Sequence, residues 1–291
     1  MLENKRIAVI GGDTRYIEVM NRLIEAGLIV QVAGFKNYRF TSDKVQSKKL
    51  KQIDFSIQDA ILLPVSGANE KGKVELAPYA DEELYVSREL FAQTKEDCLI
   101  YTGIAGNYLQ EAAKDHKLIR LFHRDDMAIL NAIPTAEGTL ELAMHHTNYT
   151  IHRSHVLVLG FGRVGFTVAR LFAAVGAYVT VCVRSSTDAA RITEMGMKPI
   201  YYKELEHYLT KQQIIINTVP ARILNKKALE QMDSTSLMID LASSPGGVDF
   251  KEASKLGIHS IHALGLPGKV APKTAGNIIA DVLLPLLEQD L

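Results

Sequence analysis

The sequence has few cysteines, no excess charge of either sign and no long hydrophobic run, and each absence excludes a class of protein. Its two cysteines, Cys98 and Cys182, lie in apolar segments that predict buried strands, so neither a disulfide nor a cysteine–metal site is expected. Lysine plus arginine and aspartate plus glutamate both total 33, and the zero formal charge argues against nucleic acid as a partner. The early apolar run at 7–10 is too short for a signal peptide or a membrane span. The sequence therefore predicts a cytoplasmic protein.

The segment 155–186 has the pattern of a buried strand, a glycine turn, a helix and a second strand. Gly160, Gly162 and Gly165 follow the first strand at G-x-G-x-x-G spacing. This spacing suits a tight turn at the first glycine, a pyrophosphate at the second and helix–strand packing at the third. The following helix, predicted at 163–175, offers its free amides to phosphate groups. A dinucleotide-binding Rossmann domain is predicted.

The end of the second strand indicates which dinucleotide binds. An NAD site usually has a carboxylate there, whereas this chain has Arg184, Ser185 and Ser186, and no carboxylate before Asp188. A guanidinium with hydroxyls suits a 2′-phosphate, which favours NADP. The alternative is that Arg184 is only a solvated arginine at a strand end.

Three later strands of this half end in loops of small or polar residues, at 217–220, 240–244 and 263–269. In open α/β sheets, ligands bind at this carboxyl edge. The predicted cofactor contacts are Gly160, Gly162, Arg163, Val164, Gly165, Arg184, Ser185, Ser186, Thr218, Val219, Pro220, Asp240, Leu241 and Ala242.

The amino-terminal half begins with a second strand–turn–helix pattern, but its glycines, Gly11 and Gly12, lack the dinucleotide spacing. We expect a sister unit without cofactor, in which Asp13 or Thr14 caps the helix. Arg15 is a functional candidate, because a helix dipole disfavours a cation in the first turn. The lysine-rich segment 40–54 is interpreted as a solvated face.

The predicted fold class is α/β, with two doubly wound parallel-sheet lobes. We expect a Rossmann-like substrate domain at 1–133, a linking helix at 134–150 with Pro134 in its first turn, and a Rossmann-type NADP-binding domain at 151–271. A carboxyl-terminal helix at 272–291 completes the first domain. Adjacent histidines such as His145 and His146 point about 100° apart on a helix, so no metal site is predicted.

Five segments carry a family resemblance: IAVIGGDTR at 7–15, LPVSG at 63–67, IPTAEG at 133–138, the glycine turn at 160–165 and PGKVAPKTAG at 267–276. In them the chain resembles, over its whole length, the dipicolinate synthase A-chain family. The wider architecture resembles two-lobed dehydrogenases, in which the cofactor lobe is inserted in the chain of the other lobe.

The resemblance implies an oxidoreductase that works with a smaller, flavoprotein-like B subunit in the cytoplasm of the mother cell during sporulation. It would oxidise dihydrodipicolinate, or its 4-hydroxy-tetrahydro precursor, to pyridine-2,6-dicarboxylate with NADP. An oligomer is expected. Neither nucleic acid nor a membrane is an expected partner.

Two substrate carboxylates need fixed donors. The nominated residues, expected on loops that line one cleft, are Arg15, Ser66, Thr135, Lys269 and Lys273. If the hydrated compound is the substrate, Glu137, Asp240 or a histidine would assist loss of water, and no general base is singled out. A dehydrogenase of another 2-oxo or amino acid, or a non-catalytic NADP-binding regulator, remains an alternative.

Overall fold

A computed structural model describes residues 2–243 and 245–291. The chain divides into two compact units, the first built from residues up to Leu130 and from Ala271–Leu291, the second from Asn131–Val270. Each unit contains a six-stranded parallel sheet with helices on its faces. The predicted α/β fold with two doubly wound sheets is therefore confirmed.

The sheet of the first unit has the strand order β3-β2-β1-β4-β5-β6. Its elements are β1 (Arg6–Ile10), α1 (Arg15–Glu25), β2 (Ile29–Ala33), β3 (Val45–Ser47), β4 (Ala60–Leu62), α2 (Arg88–Phe91), β5 (Leu99–Thr102), α3 (Asn107–Ala112) and β6 (Leu118–Arg120). The strand order reverses between β1 and β4, so the carboxyl ends of these two strands flank a crevice. Helix α4 (Asp125–His146) begins in this unit and continues into the second.

The sheet of the second unit has the equivalent order, β12-β11-β10-β7-β8-β9. Its elements are β7 (His155–Leu159), α5 (Arg163–Ala174), β8 (Tyr178–Val183), α6 (Ser186–Glu194), β9 (Lys198–Tyr201), α7 (Leu205–Leu209), β10 (Ile214–Asn217), α8 (Lys226–Leu229), β11 (Leu237–Asp240), α9 (Phe250–Lys255), β12 (His259–His262) and α10 (Leu266–Val270). The central strands are buried on both faces, which explains their continuous apolar sequences. Here the equivalent crevice lies between β7 and β10.

The last helix, α11 (Pro272–Asp290), packs against α1 in the first unit. Gly276 makes this packing close, because a Cβ there would overlap the Arg15 carbonyl oxygen. Arg22 of α1 pairs with Asp281 at 2.8 Å and donates to Asn277 Oδ1 at 3.0 Å.

The predicted linking helix at 134–150 was wrong at both ends. The helix begins at Asp125 and ends at His146, with Pro134 in its interior and not in its first turn. Acidic residues at 125 and 126 favour a helix start there, since they oppose the positive end of the dipole. Pro134 has no N–H to donate within the helix, and its interior position is expected to distort it.

Two smaller expectations also fail. The lysine-rich segment at 40–54 is not only a solvated face, because it contains the edge strand β3 with Val45 buried. Cys98 lies just before β5, whereas Cys182 lies within β8 as predicted. Both thiols are free and buried, and burial raises the pKa of Cys98 to about 11 and that of Cys182 to about 12. Both cysteines are therefore expected to be unreactive.

Asp59 ties the start of β1 to the segment before β5. Its carboxylate accepts from the Arg6 amide at 2.7 Å and from Lys95 Nζ at 2.6 Å. Partial burial opposes ionisation of Asp59, but the hydrogen bonds from Lys95 and Arg6 outweigh it and lower the pKa of the carboxyl group.

We predict that Asp59→Ala lowers the free energy of unfolding by about 1–3 kcal/mol at neutral pH, because both donors lose their acceptor. A carboxyl group with a lowered pKa stabilises the fold above its unfolded pKa of about 4 and loses this contribution as the pH falls through the folded value. Urea unfolding should therefore show the difference from the parent shrinking in acid. Asp115→Ala is the control, since its pair with Arg88 is exposed. Equal losses in the two variants would contradict the prediction.

Candidate functional site

The glycine turn after β7 has the backbone geometry that its spacing predicts. Gly160 has φ +92°, and a Cβ there would lie 2.7 Å from Thr218 Oγ1. A Cβ at Gly165 would overlap the carbonyl oxygen of Gly160, so the third glycine allows α5 to approach the strand. Gly162, the N-cap of α5, has open space where its Cβ would be. The turn is therefore closed toward the protein and open where a pyrophosphate would approach.

A cavity of about 300 Å³ adjoins this turn. It is lined by Gly160, Phe161, Gly162, Val183, Arg184, Asp188, Tyr202 and Val219. Its volume, glycine floor and cationic wall fit part of a dinucleotide.

Arg184 lies on this wall with its guanidinium carbon 5.6 Å from the centre of the Tyr202 ring. Burial raises the pKa of Tyr202 to about 12, although the charge of Arg184 opposes the shift, so the phenol is neutral at physiological pH. The position of the guanidinium is thus supported by a neutral aromatic ring.

Asp188 and Tyr202 were missed by sequence reasoning. Asp188 was noted only as the first carboxylate beyond the strand, yet the structure places it in the same cavity as Arg184. The sequence did contain a signal for Asp188, because a side chain in the first turn of α6 points back toward the end of the preceding strand. Tyr202 follows the neighbouring strand β9, and only the sheet order brings it there.

Ser185 is the N-cap of α6, and its hydroxyl accepts from the amides of Thr187 and Asp188. Ser186 is the first helical residue and is exposed. The Ser185 hydroxyl therefore satisfies two of the free amides at the start of α6. Arg184 is left as the main cationic group of this wall.

A buried polar pair supports the loops at the carboxyl ends of β10 and β11. Asn217 and Asp240 are the last residues of these strands and partners in the sheet register. Asn217 Nδ2 donates to Asp240 Oδ1 at 2.8 Å, and the Asp240 oxygens also accept from the amides of Ala242 and Gly247. Both side chains are fully buried. Asp240 thus holds the loop that contains Leu241 and Ala242, and Asn217, which was not nominated, is its partner.

The other nominated cofactor residues lie around the same turn. Thr218 Oγ1 donates to the Leu159 carbonyl at 2.8 Å, so its hydroxyl anchors the loop that continues into Val219 and Pro220. Arg163 and Val164 form the first turn of α5.

The glycine turn of the first unit is filled by the chain itself. The amide of Gly12 donates to the Glu75 carbonyl at 2.8 Å, and a Cβ at Gly11 would lie 2.8 Å from Val74 Cγ2. The segment 74–76 therefore occupies the space that a pyrophosphate would need.

Arg15 is almost buried, with 6% of its surface exposed, and it is paired with Asp13. Its Nε lies 2.9 Å from both Asp13 oxygens and Nη2 lies 2.5 Å from one of them. Burial would lower the pKa of Arg15, but the hydrogen bonds and charge of Asp13 raise it, so the guanidinium stays charged. Asp13 also accepts from the Arg15 amide, whereas the Thr14 side chain makes no capping bond.

The expectation that the nominated substrate residues lie on loops was wrong for four of the five. Arg15 and Lys273 lie in the first turns of α1 and α11 and Thr135 lies inside α4, all in segments predicted as helices, whereas Lys269 lies in α10, a helix that was not predicted. The fifth, Ser66, lies on the loop after β4 and donates to Glu75 Oε2 at 2.8 Å.

Three of the nominated residues belong to the first unit, Arg15, Ser66 and Lys273, and Thr135 and Lys269 to the second. Thr135 Oγ1 donates to the Asn131 carbonyl at 2.8 Å, and Lys269 and Lys273 are exposed. Glu137 is also exposed.

Two features are absent from residues 2–243 and 245–291. No group of three or more histidine, cysteine, aspartate or glutamate side chains is placed to hold a metal ion. No helix in these ranges has the length and hydropathy of a membrane span.

Comparison with known proteins places this geometry in a family. The family model for the N-terminal domain of the dipicolinate synthase A subunit matches residues 6–122. The dipicolinate synthase A subunit of Bacillus subtilis (strain 168) is 46% identical over 291 residues, which cover 99% of this chain and 98% of that protein. The chain belongs to the family of dipicolinate synthase A subunits.

Solved structures of this family share the fold closely. The dipicolinate synthase A subunit from Bacillus halodurans superposes with a TM-score of 0.96 at 44% identity, covering 99% of each chain. The one from Bacillus subtilis gives 0.93 at 46% identity, covering 100% of this chain and 98% of that one.

The second unit also matches a wider class. The model of the D-isomer specific 2-hydroxyacid dehydrogenase NAD binding domain matches residues 131–246. Together with membership of the dipicolinate synthase family, this match supports an oxidoreductase of the dehydrogenase type with a nicotinamide nucleotide cofactor.

We predict that alanine at one glycine of the turn lowers stability, whereas alanine at another weakens nucleotide binding. Gly165→Ala should lower the free energy of unfolding by about 1–3 kcal/mol, because its Cβ overlaps backbone. Gly162→Ala should leave stability within about 1 kcal/mol but weaken nucleotide binding about tenfold or more, because its Cβ enters the open space. Thermal melts and calorimetric titration measure the two effects. Gly106→Ala is the matched control, since Gly106 is also an N-cap glycine with open space. Unchanged nucleotide affinity in Gly162→Ala would contradict this assignment of the turn.

Proposed function

We propose that this chain, with a smaller flavoprotein-like B subunit, oxidises dihydrodipicolinate or 4-hydroxy-tetrahydrodipicolinate to pyridine-2,6-dicarboxylate with NADP. The observation that carries the proposal is 46% identity along the whole chain to the A subunit of a dipicolinate synthase, whose name implies a further subunit. We place the reaction in the cytoplasm of the mother cell of a sporulating bacterium, and expect an oligomer.

The residues around the glycine turn fit a nicotinamide dinucleotide. Gly160, Gly162 and Gly165 would receive the pyrophosphate at the start of α5, with Arg163 and Val164 contributing main-chain amides. The loops at 218–220 and 240–242 would border the nicotinamide half. A nicotinamide held there would supply the acceptor for a hydride from the substrate ring.

NADP is favoured over NAD by Arg184, which has the charge and geometry to bind a 2′-phosphate. Ser185 and Ser186 add hydroxyls, although the Ser185 hydroxyl already caps α6. Asp188 is the opposing group, because a carboxylate in the same cavity repels a phosphate and accepts from a ribose hydroxyl.

The remaining task of the protein is to orient a dicarboxylate and to move a proton. Aromatisation of the ring drives the reaction, so positioning and charge matching carry most of the catalysis. Arg15 is proposed to bind one carboxylate through Nη1, since Nε and Nη2 are engaged by Asp13. Ser66, Thr135, Lys269 and Lys273 are the further proposed substrate residues.

If the hydrated compound is the substrate, a proton must also reach the leaving hydroxyl group. Glu137 suits this role better than Asp240, because Glu137 is exposed while the Asp240 carboxylate is buried and holds three hydrogen bonds. A histidine is the other proposed donor.

We predict that Arg184→Ala weakens NADP binding about tenfold or more and leaves NAD binding within about twofold. Asp188→Asn should act in the opposite sense, weakening NAD or strengthening NADP, because it removes the carboxylate. Calorimetric titration of both dinucleotides into the parent and the two variants measures this. Arg191→Ala is the control, since this exposed arginine of α6 pairs with Glu194 and does not line the cavity. An unchanged NADP preference in Arg184→Ala would overturn the NADP assignment.

The activity itself is tested by mixing the chain, with and without the B subunit, with freshly generated 4-hydroxy-tetrahydrodipicolinate and NADP. We expect NADPH absorbance and pyridine-2,6-dicarboxylate to grow together. Arg15→Ala and Lys269→Ala should each raise the substrate KM about tenfold and leave NADP affinity nearly unchanged, whereas Lys251→Ala, an exposed lysine of α9, should change neither. A flat trace in both mixtures, with NADP still bound, would overturn the substrate and leave the nucleotide site standing.

A further inference from the structure

A second concave site lies in the second unit, at the edge of the sheet opposite the glycine turn. This cavity of about 790 Å³ is bordered by the first residues of three strands, His155, Tyr178 and Lys198. The five residues of β7, roughly 16 Å of strand, separate it from Gly160. No step proposed above uses this cavity.

Two aromatic surfaces are available in the cavity. The ring of Tyr178, a residue 53% exposed, lies 5.4 Å from the ring of His155 at an angle of 35°. The ring of Tyr208 lies 4.7 Å from Lys198 Nζ. An exposed ring such as that of Tyr178 favours contact with a flat apolar or aromatic group.

The charge of the lining has one sign. Lys198 and Lys211 contribute ammonium groups and His155 and His207 contribute imidazoles. Among the described residues that line the cavity there is no aspartate or glutamate, and neither lysine is in an ion pair within the described chain. By contrast, Lys227 pairs with Glu206 at 2.9 Å nearby. A concave surface of this charge attracts anions.

These lysines are not needed to satisfy helix ends. Helices α5 and α6 end beside the cavity, where carbonyl groups would otherwise seek a cation. The amide of Gly176 already donates to the Ala173 carbonyl at 2.9 Å, and that of Gly196 to the Thr193 carbonyl at 3.0 Å. The main chain caps both helices, and at the end of α7 the Tyr208 carbonyl accepts from Gln212 Nε2 at 3.0 Å, so the ammonium groups are not needed at these helix ends.

Gln212, another lining residue, is 95% buried, since only 5% of its surface is exposed. Its Nε2 donates to the Tyr208 carbonyl at 3.0 Å, which fixes the orientation of the amide. Its Oε1 has no hydrogen-bond partner among the described residues. A buried acceptor without a donor is unfavourable, so this side of the cavity is incompletely satisfied within the described chain.

We propose that this cavity binds a planar aromatic carboxylate, whose ring packs on Tyr178 or Tyr208 and whose carboxylates pair with Lys198 and Lys211. The ligand class follows from the lining residues alone. If the proposed function holds, on which this last step rests, the product pyridine-2,6-dicarboxylate belongs to the class and binds at a site remote from the one where it is formed.

To test this, the full chain is saturated with NADP and titrated with pyridine-2,6-dicarboxylate. A second titration uses benzene-1,3-dicarboxylate, which has the same shape but lacks the chelating nitrogen. We expect saturable binding of both that NADP does not displace. The double variant Lys198→Ala/Lys211→Ala should weaken binding about tenfold or more, and Tyr178→Ala about threefold or more. Lys251→Ala should not change it. Thermal melts establish that each variant is folded.

Three outcomes would overturn the inference. One is the absence of saturable binding, and another is unchanged affinity in the double lysine variant. The third is equal binding of cyclohexane-1,3-dicarboxylate or of inorganic phosphate, which would indicate a site for anions without an aromatic requirement. Turnover is a separate measurement: lost binding with intact turnover contradicts this site alone, and intact binding without turnover contradicts the proposed reaction alone.

Discussion

The close approach of backbone at the turn after the first strand of each sheet is the constraint on which the two units depend. Both units have the same strand order, and in both a glycine with positive φ follows the central strand. In the second unit, Gly160 and Gly165 contact each other and leave the space beyond Gly162 open. In the first unit, the amide of Gly12 already donates a hydrogen bond to the Glu75 carbonyl. One topology therefore yields a nucleotide site in one unit and a closed turn in the other.

The buried polar groups also fall into two kinds: some hold the loops in place, and others keep a donor that a ligand can use. Asn217 and Asp240 are fully buried and satisfy each other and the loops that follow them, so their polarity stabilises the crevice edge. The Asp13–Arg15 pair is less closed, since Asp13 retains 22% side-chain exposure and Arg15 Nη1 has no hydrogen-bond partner in the described part of the chain. Arg15 thus keeps a donor that Asp13 does not engage and that a ligand carboxylate would accept from.

Strand β8 is the second strand predicted in the segment 155–186, and it was predictable because an apolar run is bounded by a glycine and by an arginine. The turn at the three glycines was predictable because its geometry depends mainly on the local backbone. Helix α4 was misjudged at Pro134, since local rules place proline in the first turn of a helix, whereas the acidic residues at 125 and 126 mark the actual start. Asp188 had a local signal in its position in the first turn of α6, whereas Tyr202 reaches the cavity from a neighbouring strand, which no local pattern encodes.

The two edges of the second sheet carry different kinds of evidence. At the carboxyl edge, every dinucleotide-binding fold needs small residues and main-chain amides, so their presence identifies a cofactor class and little about the substrate. At the amino edge the cofactor imposes no requirement. The cavity lining at this edge holds two lysines and, among the described residues, no carboxylate, so the two ammonium groups repel each other, and neither capping nor ion pairing explains their position. An arrangement that the fold does not require and that costs stability is best explained by an anion that binds there.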